Sequence, residues 1–553
     1  MHKVKAIARV GLVALLMALA GCGSGADPKG GPPSNAVRVK VAVNSGAGAW
    51  LTQAAERFVK ANVKTKSNKP IWPEVSVVEA GQAIAAWQAA GSADAALWVP
   101  DGGEWVELAA SRKLSGFTDC ASTATSPLVI AMWRPLAELL GYPARTLGWL
   151  DLSSLAADTS AWAYYSGGQF GKTLRLAHGH PGVTGSGAAA LLAVAQAARQ
   201  QQAAVTPADL KTPILQASVT AFEGGVALFA PNGDELGATM ASRGPEYLGA
   251  AVMYESTVAM HGQEGDEALI PIYPFEGTFV ATHPACINAG ASSETQEGAR
   301  TFRDWLLKEE AQKLAAANGL RPVNGAVKAG ALLAAAGGFN LSQPAVVFAA
   351  PSAASVDAAQ ELWKSARKPI NLVMILDTSG SMAGSKLTSM RNAAVTFLQA
   401  MNAEDNLTLI TFATDISVRV QAKKVKDVRD SAVSTVRGLQ ANGNTALYDS
   451  IAEGAAQIRR STSSARTNVM IILTDGQDTA SRNYKYDDRL IALATANGTS
   501  LYTVAYGSDA DKNILGGMAQ KSNGNFYAGT EANIAAIYQD MSTAFGGSAG
   551  IGR

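Results

Sequence analysis

Asp377, Ser379 and Ser381 put one carboxylate and two hydroxyls on alternate residues of the short run Asp377-Thr-Ser-Gly-Ser381. Alternate spacing along a tight turn can aim three oxygens at one point, and Gly380 lets the backbone bend without a Cβ clash. That set is a half-shell for a hard cation such as Mg²⁺, which takes six oxygens and keeps several waters. Alone, the spacing equally describes a turn or a helix N-cap, where Asp, Ser, Thr and Gly are common. Two distant stretches add donors. Thr445 lies in Gly443-Asn-Thr-Ala-Leu-Tyr-Asp449, just ahead of a helical pattern, and Asp475 ends the apolar run Asn468-Val-Met-Ile-Ile-Leu-Thr-Asp475.

The elements that must position these oxygens are legible as well. Leu372 to Leu376 is a continuous apolar run bounded by polar residues, the pattern of a strand buried on both faces of a parallel sheet. Asp377 and Asp475 then fall at the carboxyl ends of two buried strands, the edge where open α/β sheets place ligands. The rest of this region continues the alternation. Helices are expected over 386–401, 425–436, 446–459, 486–496, 511–521 and 532–545, with strands over 406–412, 417–421, 500–506 and 525–527.

Residues 368–545 resemble a von Willebrand factor type A domain, and the three stretches match its metal-ion-dependent adhesion site. The resemblance implies a doubly wound, mostly parallel, Rossmann-like sheet. It also implies Mg²⁺ or Mn²⁺ held by Ser379, Ser381 and Thr445, with Asp377 and Asp475 supporting coordinated waters. Few direct carboxylates leave such an ion electrophilic, so its open position attracts an acidic side chain of a protein partner. Asp449 and Asp478 lie close in sequence and are expected to cap or face solvent rather than to ligate.

Upstream, strands alternate with helices from residue 37 to residue 345, which implies a parallel α/β sheet. Strands are expected at 37–44, 95–99 and 126–132, and helices at 50–62, from Trp105, at 188–200 and at 302–317. Ser45-Gly-Ala-Gly48 and His180-Pro-Gly-Val-Thr-Gly-Ser-Gly187 each place small residues at a helix N-terminus, where backbone N–H groups can meet a polar ligand. With Leu97-Trp-Val-Pro100, Ser126-Pro-Leu-Val-Ile-Ala131 and Gly319-Leu-Arg-Pro322, these features resemble bacterial extracellular solute-binding proteins of the two-lobed, type II periplasmic kind. The resemblance implies a small solute or peptide held between the lobes, near Ser45, Ser126, Thr184, Ser186 and Glu255. Each of these residues also reads as an ordinary cap or loop hydroxyl or acid. His178 and His180 are expected to be loop residues rather than metal ligands, and Trp133, Trp149 and Trp162 core residues rather than a sugar platform. Ala326 to Ala354, rich in Ala and Gly, reads as a helix followed by a linker, and residues 346–367 as a linker with a helix.

Met1 to Cys22 reads as a targeting segment, with Lys3, Lys5 and Arg9 before an apolar core too short for a bilayer, which needs about 20 residues. Its end, Leu19-Ala-Gly-Cys22, resembles a bacterial lipobox. That implies a signal peptide over 1–21, a lipid on Cys22, a Pro/Gly-rich tether over 22–36 and a location in the cell envelope outside the cytoplasm. Cys120 and Cys286 are then an even pair in an oxidising compartment and are expected to form a disulfide; two buried free thiols are the alternative.

At 553 residues and 48% hydrophobic, the chain can bury several cores. A net charge of +1 gives no electrostatic case for nucleic acid. The sequence has no zinc spacing, no phosphate loop and no nucleophile–base pair, so no enzyme activity is expected. The expectation is a lipid-anchored surface binding protein. The alternative is the solute receptor of an ABC-type uptake system that uses the second domain as a docking module.

Overall fold

The computed structural model describes residues 31–547 apart from residues 115, 172, 202, 263 and 264. The targeting segment and Cys22 lie outside the described residues. Three sheets organise the described residues.

The first sheet runs in the order Ile71–Val77, Val37–Val43, Leu97–Val99, Pro284–Asn288 and Phe117–Ser122, parallel across its first three strands and antiparallel beyond. Val39, Val41 and Val43 meet Phe58, Phe302 and Trp305 in the core on its outer face. Cys120 and Cys286 are joined by a disulfide across the two antiparallel strands.

The second sheet is built on the long strand Ala124–Trp133, which pairs with Ala250–Tyr254, Leu269–Ile272, Val280–Ala281 and Arg321–Pro322. Leu176–Gly179 and Val226–Ala230 extend it in parallel. The chain passes between the lobes at Thr123 and at His283, where Thr123 N–H and Oγ1 both donate to the His283 carbonyl.

The third sheet has the order Ile416–Lys424, Asn406–Phe412, Ile370–Asp377, Thr467–Thr474, Ser500–Tyr506 and Phe526–Gly529, parallel except for its first strand. Alternate residues of the central strand feed separate cores. Leu372, Met374 and Leu376 face helices Ser385–Ala400 and Ile534–Ala544, whereas Val373 and Ile375 face Leu447–Ser461. That accounts for the uninterrupted apolar run: both faces are covered.

Helix Ala353–Ala366 is a strap linking all three bodies. Asp357 pairs with Arg112 of the first lobe, while Ser355 Oγ and Gln360 Nε2 donate to the Val205 and Pro181 carbonyls of the second. Arg367, the next residue, is buried against Asp405 of the third sheet. Arg243 of the second lobe reaches Gly524 O and Asn525 Oδ1, and His180 Nε2 donates to Gly547 O at 2.9 Å.

Several expectations change. The expected helix 302–317 is two helices, Ser293–Leu306 and Glu309–Ala317, because Lys308 is extended between them. The helix expected within 326–354 is absent; Ala331–Leu333 and Ala335–Gly337 are short 3-10 turns. His180 lies in a loop as expected, whereas His178 does not. Both are buried, and His178 lies on a strand with its Nε2 2.9 Å from Glu223 Oε1.

Candidate metal centre and interlobe seam

The central strand Ile370–Asp377 delivers Asp377 fully buried at its carboxyl end. Both of its oxygens are engaged: Oδ1 accepts from Ser379 N–H at 2.7 Å and Oδ2 from Thr474 Oγ1 at 2.6 Å. This carboxylate therefore shapes the turn from both sides. Ser379 and Ser381 follow in a 3-10 turn with their Oγ atoms 3.1 Å apart. Gly380 N–H donates to Gly443 O, which docks the turn onto the loop carrying Thr445.

Thr445 is held by its backbone. Its N–H donates to Thr479 Oγ1, and its carbonyl accepts from Thr479 and Ala480. A Cβ placed on Gly476 would lie 3.6 Å from Thr445 Oγ1 and 3.9 Å from Ser381 Oγ, so the two hydroxyls border one small space. Asp475, also fully buried, accepts from Ser381 Oγ on Oδ1 and from the Lys386 ammonium on Oδ2, each at 2.6 Å. All five residues expected from the sequence thus gather at one sheet edge.

The donors suit a hard divalent cation: three neutral hydroxyls and two carboxylates, with no sulfur or imidazole. Burial holds the Asp377 carboxyl above its ordinary range, and the neighbouring Asp475 charge adds to the effect. Positive charge placed there would relieve both, and the Lys386 ammonium already supplies some. Lys386 was not singled out in the sequence; its place in the first turn of the helix that follows the site was the available signal. Asp478 caps helix Leu447–Ser461 by accepting from Tyr448 N–H, whereas Asp449 accepts from the loop N–H groups of Arg482, Asn483 and Tyr484.

The five residues expected in the solute cleft separate into two places. Ser45, Thr184 and Ser186 lie where the lobes meet: Ser45 Oγ accepts from Gly233 N–H, and Thr184 Oγ1 caps Gly187 N–H beside Ser186. Ser126 and Glu255 are fully buried elsewhere. Ser126 Oγ holds Ser256, and Glu255 takes both Arg321 Nε and Nη2. The seam also contains residues that sequence reasoning passed over, namely Asn44, Glu79, Asp101, Tyr254 and His283. They stand far apart in the chain and carry no spacing motif.

The family model of the bacterial extracellular solute-binding protein matches residues 39–321, and that of the von Willebrand factor type A domain matches residues 371–540. Inter-alpha-trypsin inhibitor heavy chain H3 of Homo sapiens is 27% identical over 182 residues, 30% of this chain and 20% of that protein. An uncharacterized protein, sll0103, of Synechocystis is 26% identical over 162 residues, 29% of this chain and 37% of its own. The chain thus spans between 20% and 37% of the length of these relatives. Among solved structures, a von Willebrand factor type A protein from Catenulispora acidiphila has a TM-score of 0.29 at 23% identity, covering 32% of this chain and 42% of that one. The periplasmic binding protein AfuA from Actinobacillus pleuropneumoniae has a TM-score of 0.45 at 14% identity, covering 60% and 99%.

Proposed function

The chain belongs to the bacterial extracellular solute-binding proteins and also carries a von Willebrand factor type A domain, and from that premise we propose a lipid-anchored envelope protein that adheres through a metal ion. Members of both families are typically binding or adhesion modules, and the first implies a place outside the cytoplasm. Among the described residues no helix is long and apolar enough to cross a membrane. The proposed attachment is a lipid on Cys22, argued from the run Leu19-Ala-Gly-Cys22.

Mg²⁺ or Mn²⁺ would be held by Ser379, Ser381 and Thr445, with Asp377 and Asp475 fixing those hydroxyls and coordinated waters. The ion supplies a Lewis-acidic position for a carboxylate of a protein partner. The observation that carries this reading is the convergence of those five side chains at one sheet edge, with each Asp377 oxygen already accepting from a protein donor. The domains we assign are 37–345 for solute or peptide binding, 346–367 for the linker and strap, and 368–545 for adhesion. No catalytic role is proposed.

A surface bearing an aspartate-containing peptide tests the adhesive step. The protein should be retained in Mn²⁺, released by chelator, and not retained as Thr445→Ala. Retention that is indifferent to chelator would contradict the proposal.

A further inference from the structure

The seam between the first two lobes is lined with buried acids. Glu79 and Asp101 are 4% and 3% exposed, and Glu104 stands on the helix that follows Asp101. Burial pushes Glu79 up to about 8, with the Asp101 charge adding to it. Burial likewise raises Asp101 to about 6, against the polar neighbours Tyr254, Asn44 and the Gly185 backbone that hold it down. Glu104 is raised to about 7, first by burial and then by Asp101 and Glu107. The charges that press most strongly on these acids are other carboxylates, and among the described residues Glu79, Asp101 and Glu104 form no salt bridge.

The helix N-termini that open on the seam, by contrast, are already served. Glu79 Oε1 accepts from Ser45 N–H at 3.1 Å, and Ser45 Oγ accepts from Gly233 N–H at 3.2 Å. In the first turn of helix Gly185–Arg199, Thr184 Oγ1 accepts from Gly187 N–H at 3.0 Å. An arriving oxyanion would find those donors occupied and carboxylates alongside.

Two polar atoms of the cluster lack a partner: Asp101 Oδ2 and His283 Nε2. Asn44 Oδ1 accepts from Ala47 N–H, so its Nδ2 faces His283 Nδ1 at 3.2 Å. Nδ1 is then the acceptor, and burial keeps the ring neutral, lowering it to about 4. Nε2 therefore carries a proton with nothing to receive it. His283 is fully buried, and its backbone N–H donates to the Asp101 carbonyl, which sets the two residues side by side.

We propose that this seam is the solute site and selects a compact cation, a protonated amine with an adjacent hydroxyl or carbonyl, its charge between Glu79 and Asp101 and its acceptor on His283. The inference rests on residues 39–321 acting as a solute-binding domain. It excludes phosphate- and oxyanion-bearing solutes from the seam.

The test uses the whole protein, with ethanolamine and glycinamide as probes against inorganic phosphate and glucose 6-phosphate. Calorimetry in two buffers of different ionisation heat is run alongside Tm measurement. The amines should raise the Tm and release protons on binding, because the cation draws raised carboxyls into their ionised form. Glu79→Gln and Asp101→Asn should lose both effects. Without ligand, each should have a Tm at mildly alkaline pH no lower than wild type, since a repulsion has been removed. Binding of the phosphates but not the amines would overturn the cation assignment and leave the solute-binding reading standing. No response to either class would overturn both. A lowered ligand-free Tm in Asp101→Asn would make Asp101 a helix cap and overturn its role as a ligand.

Discussion

The Lys386 ammonium lies 2.6 Å from Asp475 Oδ2, on the carboxylate whose other oxygen accepts from Ser381. A cation built into the protein therefore sits beside the position that a divalent ion would use. Lys386 is 29% exposed at its side chain, so the pair is partly screened and worth about 1 kcal/mol at most. Lys386→Met should tighten Mg²⁺ binding by roughly fivefold, following that energy. Unchanged or weaker affinity by calorimetry would show that the ammonium orients Asp475 rather than competing for it.

The pair Arg367–Asp405 fastens the strap to the third sheet. Asp405 accepts from Arg367 Nη2 through both oxygens and from the N–H groups of Ile370 and Asn402. Both side chains are almost fully buried. Asp405→Ala would strand the guanidinium and should cost about 3–5 kcal/mol. Chemical denaturation checks it; a loss below about 1 kcal/mol would mean that water reaches the site.

The Cys120–Cys286 bond closes a sequence separation of 166 residues. Cys120→Ser with Cys286→Ser should lower stability by about 2–5 kcal/mol without changing Mg²⁺ binding, because the disulfide lies in the first lobe, far along the chain from Asp377. Parallel denaturation and calorimetry on the double variant separate the two readouts.

Stability should also depend on pH in a defined direction. Glu79 and Glu104, raised to about 8 and about 7, favour the fold in their protonated form. Their contribution is complete below the ordinary Glu value of 4.5 and is lost as pH rises through the raised values. His180 and His283, both lowered to about 4 by burial, work the other way: their contribution is present above 6.5 and lost as pH falls toward 4. The two trends oppose each other below 6.5, so a net decline is expected between 6.5 and about 8. Glu79→Gln should flatten that decline. A Tm that rises across the same interval would contradict it.

The metal centre was readable because each of its loops follows or precedes an element that announces itself, an uninterrupted apolar strand or a helical period. The acids of the seam were not readable. Glu79 and Asp101 are single residues in loops, and only the meeting of two lobes gives them a common environment. The strand Ile71–Val77 was missed because Pro73 interrupts it, which is tolerated at this edge of the sheet. The stretch 326–354 has a helix-favouring composition, yet Arg321 binds the carbonyls of Asn340, Leu341 and Gln343 while Phe339 and Phe348 are drawn into the core. Tertiary anchors outweighed local propensity there.

Titration of Mg²⁺ and Mn²⁺ into the protein by calorimetry, wild type against Ser379→Ala and Asp377→Ala, bears most directly on the adhesive site. A carboxylate such as glutamate is included to fill the partner's position. Saturable binding in the wild type, lost in both variants while their secondary structure is retained, is the predicted result. Equal heats in wild type and variants, or no binding with the carboxylate present, would contradict a metal-dependent adhesion site at Asp377, Ser379, Ser381, Thr445 and Asp475.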